Sequence, residues 1–199
     1  MKKCFHYALT AIAIGAVFFG VPAGSVDAKP SESTEKPGKD SGKMFCAYNN
    51  GNCNGFPFAS MQARRGYLEI YENGNCNGIP VLSMRKSSRG CEFYPNGNCN
   101  GIPVESFRYT GHGCEFYPNG NCNGIPTWYF EFRGQTVCIY DNGNGNGFPK
   151  WSIRLRGHVA EFYPNGNCNG IPEKSVSGVD DLRDVIEFMF YLFIRGFRN

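Results

Sequence analysis

Tyr94-Pro95-Asn96-Gly97-Asn98-Cys99-Asn100-Gly101-Ile102-Pro103 is the stretch whose reading decides the fold. It returns nearly unchanged at 117–126 and 163–172, and relatives of it begin at Tyr48, Tyr71 and Tyr140. The six box tyrosines stand 23 residues apart at every step, with no insertion. A spacing that rigid means each copy does the same structural job in a stacked array.

The residues around the box say what the unit is. One place before the tyrosine stand Ala47, Ile70, Phe93, Phe116, Ile139 and Phe162, and three places before it Phe45, Leu68, Cys91, Cys114, Val137 and Ala160. Between these apolar sites the usual residue is glutamate, at Glu69, Glu92, Glu115 and Glu161. Alternation of this kind marks a short, half-buried strand. A second strand follows each closing proline, with its constant apolar site at Met61, Met84, Phe107, Phe130, Ile153 and Val176.

Gly111-His112, Gly134-Gln135 and Gly157-His158 put glycine first in a two-residue turn, as a type II′ hairpin requires. Placing that turn at the tip fixes a register. It sets Phe107 opposite Phe116 on the apolar face, and Arg108 opposite Glu115, Arg85 opposite Glu92 and Arg154 opposite Glu161 on the polar face. In the fourth hairpin Cys138 replaces the glutamate and Glu131 the arginine, so the pair disappears together, as cross-strand partners do. An exposed pair contributes only about 0.2–1 kcal/mol, so its role is register more than stability. Each unit therefore reads as one β-hairpin and the box as the corner between hairpins: Pro95, Asn96 and Gly97 suit a type I turn, and Ile102 reads as an apolar pin.

Residues 178–199 break the pattern. Asp180 to Ile194 reads as a helix with aspartates in its first turn, Arg195 at its end and Gly196 as a stop. Asp180, Asp184, Glu187 and Tyr191 fall on one stripe and most of the rest is apolar. Such a helix suits a cap over the open end of a repeat array. The competing reading is a membrane-surface helix placing Phe188, Phe190, Phe193 and Phe197 in lipid.

The fold class that follows is all-β: an elongated array of six β-hairpin repeats over 44–177 with a short C-terminal capping helix. Ahead of it, 29–43 is a polar Pro/Ser/Glu/Lys linker. Residues 1–28 read as a secretory signal, with Lys2 and Lys3, an apolar run from Ala8 to Val21 and a cleavage site after Ala28. Cleavage would leave 18 basic and 16 acidic residues, too mild a balance to imply nucleic acid. The expected location is outside the cell or at its envelope.

Nine cysteines then remain, and export favours disulfides. Pairing each box cysteine with the next strand cysteine gives Cys76 with Cys91, Cys99 with Cys114 and Cys122 with Cys138; Cys46 closes on Cys53, and Cys168 is left over. Pairing within each repeat is the alternative, and sequence does not fix connectivity.

Period and box together resemble MORN repeats, which are 23-residue β-hairpin units, through Tyr94, Asn96, Gly97 and Gly101 and their equivalents. The resemblance covers about two-thirds of the chain. The Tyr-x-Gly that normally precedes the aromatic is missing, and Pro103 stands where a second glycine is usual. It implies a twisted single sheet used for scaffolding, protein contact or membrane association. Residues 71–78 also look like the first hairpin of a βγ-crystallin motif, as in small secreted protease inhibitors, with Cys76 in the place of an aromatic.

Chemistry is sparse. No Cys-x-x-Cys suggests zinc, and the boxes offer carboxylates only at Glu72 and Asp141, too few for calcium. His112 and His158 share one hairpin-tip position and read as turn residues. No cofactor and no catalytic residue is expected. The remaining candidate is a partner-binding face of Tyr71, Tyr94, Tyr117, Tyr140 and Tyr163 with Arg85, Arg108 and Arg154, since tyrosine and arginine are favoured at interfaces. The function that follows is a binding or structural scaffold for a protein or envelope component. The alternatives are a secreted enzyme inhibitor, using the deviant box at 142–147 beside Trp128 and Trp151, and a membrane-surface protein docked by its tail.

Overall fold

The computed structural model describes residues 42–196. The signal segment, nearly all of the linker and Phe197 lie outside the described residues. Twelve antiparallel strands follow one another: β1 Met44–Tyr48, β2 Ala59–Arg64, β3 Tyr67–Tyr71, β4 Leu82–Ser87, β5 Gly90–Tyr94, β6 Glu105–Tyr109, β7 Gly113–Tyr117, β8 Trp128–Arg133, β9 Thr136–Tyr140, β10 Trp151–Arg156, β11 Val159–Tyr163 and β12 Lys174–Ser177.

The registers follow the hairpin reading. Phe107 lies opposite Phe116 and Arg108 opposite Glu115, Arg85 opposite Glu92, and Arg154 opposite Glu161. Gly134 and Gly157 open their two-residue turns at φ +62° and +59°, as type II′ requires. Gly111 is not among the glycines with positive φ, so the third hairpin turns differently.

The array is not elongated. β12 pairs with β1, with Cys46 opposite Ser177, Ala47 opposite Val176 and Tyr48 opposite Ser175, and the sheet closes into a barrel. One face of every hairpin is apolar, and an open ribbon would leave that face wet and two sheet edges unpaired. Closure buries the face and removes the edges.

Twelve strands make a barrel too wide for wall side chains to fill, since about eight strands mark that limit. The C-terminal segment fills the difference. After β12 come a 3₁₀ turn, Leu182–Asp184, a short helix α1, Ile186–Phe190, and a π turn, Tyr191–Arg195. Phe188, Met189 and Phe190 are fully buried among the inward wall residues. Phe190 packs against Phe107, Phe116, Phe130 and Trp128 at ring separations of 4.7–5.6 Å, and Phe193 against Phe58 and Phe162. A helix apolar on nearly all sides belongs in an interior. The tail is thus a plug in the lumen rather than a cap on an array end, and Phe188, Phe190 and Phe193, assigned to lipid in the competing reading, pack against the core instead.

Candidate functional site

The plug is fixed by charge. Glu187 is wholly buried; it accepts a 2.6 Å hydrogen bond from Tyr109 Oη at Oε1, and Lys86 Nζ stands 2.9 Å from Oε2. Burial works against the Lys86 ammonium, but the charge of Glu187 and its hydrogen bond, with charge on Cys91 and Asp184, together hold Lys86 above its ordinary value. Burial, then Glu187, drives the Tyr109 phenol far upward. Lys86 also donates to Arg183 O at 2.7 Å. At the far end of the segment the Arg195 guanidinium pairs with Glu105. A carboxylate whose partners sit on two wall strands sets the depth of the tail in the barrel.

On the outer wall four box tyrosines donate their hydroxyls to the glutamate two places before them: Tyr71 to Glu69 at 2.6 Å, Tyr94 to Glu92 at 2.7 Å, Tyr117 to Glu115 at 2.8 Å and Tyr163 to Glu161 at 2.6 Å. Arg85, Arg108 and Arg154 lie over the rings of Tyr94, Tyr117 and Tyr163 at 5.0–5.1 Å. The fourth hairpin rebuilds this trio from other positions. Its carboxylate is Glu131, which accepts from Tyr140 at 2.9 Å and pairs with Arg133 at 2.7 Å. These five tyrosines are 0–3% exposed, so they cover their own hairpins and only the arginines of the proposed partner face remain open.

What holds the boxes is a serine that the repeat pattern carries but that is not among the candidate site residues. Ser60, Ser83, Ser106, Ser152 and Ser175 lie opposite Tyr71, Tyr94, Tyr117, Tyr163 and Tyr48. Each buried serine donates to the box, to Asn73, Asn96, Asn119, Asn165 or Asn50 O at 2.5–2.6 Å, and accepts from the backbone N–H of the box cysteine at 2.7–3.1 Å. This pulls the box back over its own hairpin and holds Cys53, Cys76, Cys99, Cys122 and Cys168 at φ of +53° to +56°, a region non-glycine residues rarely occupy. The signal was present in the sequence, because the serines share the 23-residue period. The fourth hairpin has Tyr129 in place of serine, and the box that follows it has Gly145 in place of cysteine.

Boxes also pack on one another. A Cβ on Gly97 would run into Pro80, on Gly120 into Pro103, on Gly143 into Pro126, on Gly166 into Pro149 and on Gly74 into Pro57; Gly51 meets Pro172 in the same way across the seam. The six boxes therefore form a closed collar at one end of the barrel.

The residue before each closing proline is not a pin. Phe56, Ile79, Ile102, Ile125, Phe148 and Ile171 are 85–99% exposed and recur once per box around the collar. Trp128 and Trp151, 5.1 Å apart, do not face outward beside the deviant box; Trp128 packs on Phe190.

All nine described cysteines are free thiols. Cys91 and Cys114 belong to the lumen core, whereas Cys76 and Cys99 sit in boxes held to serines on the outer wall. The barrel wall separates the members of the Cys76–Cys91 and Cys99–Cys114 pairs, because three places before the tyrosine is an inward position. Cys122 rests on Ser106 of β6, and Cys138 contacts Gly166 O in a different box. Cys53 rests on Ser175, while Cys46 opposes Ser60 and Ser177.

Comparison with protein-family models, with curated proteins and with solved structures found no match.

Proposed function

We propose that this chain is an exported, non-catalytic binding module that meets a protein or envelope component through the collar of boxes. The observation that carries this reading is the ring of six exposed apolar side chains, Phe56, Ile79, Ile102, Ile125, Phe148 and Ile171. Single exposed apolar residues need no explanation, but a repeated set at one end of a molecule is the kind of surface that marks an interaction site. The rest of the molecule supports it: the lumen is filled by the tail and the outer tyrosines are satisfied within their own hairpins. The MORN resemblance fits as a proposal about the unit, a 23-residue hairpin, here arranged as a ring.

The test is co-sedimentation of the protein with cell envelopes, run beside liposomes of the same lipids. Replacing Ile79, Ile102, Ile125 and Ile171 by serine should abolish envelope binding without shifting the melting temperature, because these side chains pack against nothing. Undiminished binding by that variant would sink the reading. Loss of binding to liposomes as well would assign the collar to lipid rather than to a protein or wall component.

A further inference from the structure

Two strand cysteines stand apart from the other thiols. Cys46 and Cys138 lie two places before a box tyrosine, where the other hairpins carry Glu69, Glu92, Glu115 and Glu161. That place is on the outer wall and directly faces a collar serine: Cys46 opposes Ser60, and Cys138 opposes Ser152. Each serine carries a box cysteine. Cys76 N and Sγ are 2.9 and 3.1 Å from Ser60 Oγ, and Cys168 N is 2.8 Å from Ser152 Oγ. The Cys46 thiol reaches Gly74 O at 3.5 Å and the Cys138 thiol reaches Gly166 O at 3.8 Å, each the carbonyl two residues before that box cysteine. Both relationships join residues 30 apart, so the same geometry occurs twice.

We propose that Cys46 with Cys76, and Cys138 with Cys168, form two disulfides on the outer wall. Directly opposed residues in an antiparallel pair have Cα atoms about 4.5–5.5 Å apart, and the box rests on the opposed serine, which brings the second cysteine within a disulfide's reach. Burial raises the Cys46 thiol, with charge on Cys76 and then Cys53 adding to it. Burial also raises Cys138, opposed by Arg133 and aided by Glu131 and Cys168. The other five described thiols lack such a partner. Cys53, Cys99 and Cys122 rest on Ser175, Ser83 and Ser106, which oppose Glu161, Glu69 and Glu92. Cys91 and Cys114 face the lumen.

The oxidant is a disulfide donor, either a small-molecule disulfide or an oxidised dithiol protein. One S–S bond forms as two S–H bonds break, and the donor disulfide takes the two electrons and two protons to leave as two thiols. The two bonds bind the boxes at 71–80 and 163–172 to the neighbouring strands β1 and β9. Those boxes flank the one at 48–57, where the ring closes.

The experiment is disulfide mapping of the full chain after incubation with oxidised glutathione, trapping with N-ethylmaleimide, digestion and mass spectrometry. The expected result is two linked peptide pairs, 46 with 76 and 138 with 168, alkylation at Cys53, Cys91, Cys99, Cys114 and Cys122, and a mass about 4 Da below the reduced protein before alkylation. Linkage of Cys76 to Cys91, of Cys99 to Cys114 or of Cys46 to Cys53 would overturn the assignment, and so would the absence of any linkage. In Cys46→Ser only the first pair should vanish, with full yield of the second; rerouting of Cys168 in that variant would also overturn it.

Discussion

Gly51 packs against Pro172, joining the first box to the last across 121 residues of chain. The contact repeats what Gly97 makes with Pro80 inside the ring. In an open array the first box would have no predecessor and Gly51 would tolerate a side chain. Gly51→Ala and Gly97→Ala should therefore destabilise alike, by about 1–3 kcal/mol each, as overpacking does. Denaturant unfolding of the two variants measures this; a silent Gly51→Ala beside a damaging Gly97→Ala would mean that the ring is open.

The deviant box is a matched exchange. A Cβ on Gly145 would stand 2.5 Å from Cδ1 of Tyr129, which occupies the serine place. Gly145→Cys alone should destabilise by roughly 1–3 kcal/mol from this clash. Combined with Tyr129→Ser it should recover most of the loss, since the pair then matches the other hairpins. A double-mutant cycle reads the coupling, and additive effects would contradict it.

Glu187 should be the most sensitive single position in the tail. Glu187→Leu leaves the Lys86 ammonium and Tyr109 hydroxyl facing an apolar plug, at a cost of about 3–5 kcal/mol, the range for breaking a buried pair. Adding Lys86→Met removes the orphaned charge and should restore part of that stability. If Glu187→Leu unfolded at the same denaturant concentration as the parent, the ion pair would not be what seats the tail.

Tyrosine titration gives the outer wall a pH signature. Burial first, and hydrogen bonding to Glu92, Glu115 and Glu161 second, push Tyr94, Tyr117 and Tyr163 up to about 12. An unfolded tyrosine titrates near 10. The folded pKa values are raised, so their contribution to stability is fully present below pH ~10 and is lost as pH rises from there towards ~12. Phenolate absorbance should show a late-titrating class in the native protein that vanishes in denaturant. On the acid side the sign reverses. The Arg133 hydrogen bond holds Glu131 below the ordinary glutamate value, so its contribution is present above pH ~4.3 and fades as pH falls.

Much of the hairpin was legible from residues alone. The pairings Arg108–Glu115 and Phe107–Phe116 follow from period-2 alternation and a glycine turn, both local properties. Closure was not legible, because a strict 23-residue period describes a ribbon and a ring equally well. The difference lies in accumulated strand tilt and in a tail that must go somewhere dry. The counterpart of Gly145 is Tyr129 on the preceding hairpin, and nothing in the period tells it apart from Ala160 on the next strand, which faces the lumen. Apolarity at Ile102 was visible, whereas its direction was not; φ of +90° at Gly101 is a backbone property that places Ile102 outside rather than inside the corner.

The most direct measurement of the ring is the backbone contact at its seam. In nuclear Overhauser spectra of the whole protein, Ala47 should show cross-strand contacts both to Ala59 on β2 and to Val176 on β12. Contacts to both neighbours establish the closed barrel; contacts to Ala59 with none to Val176, under conditions where β11 and β12 show theirs, would contradict it.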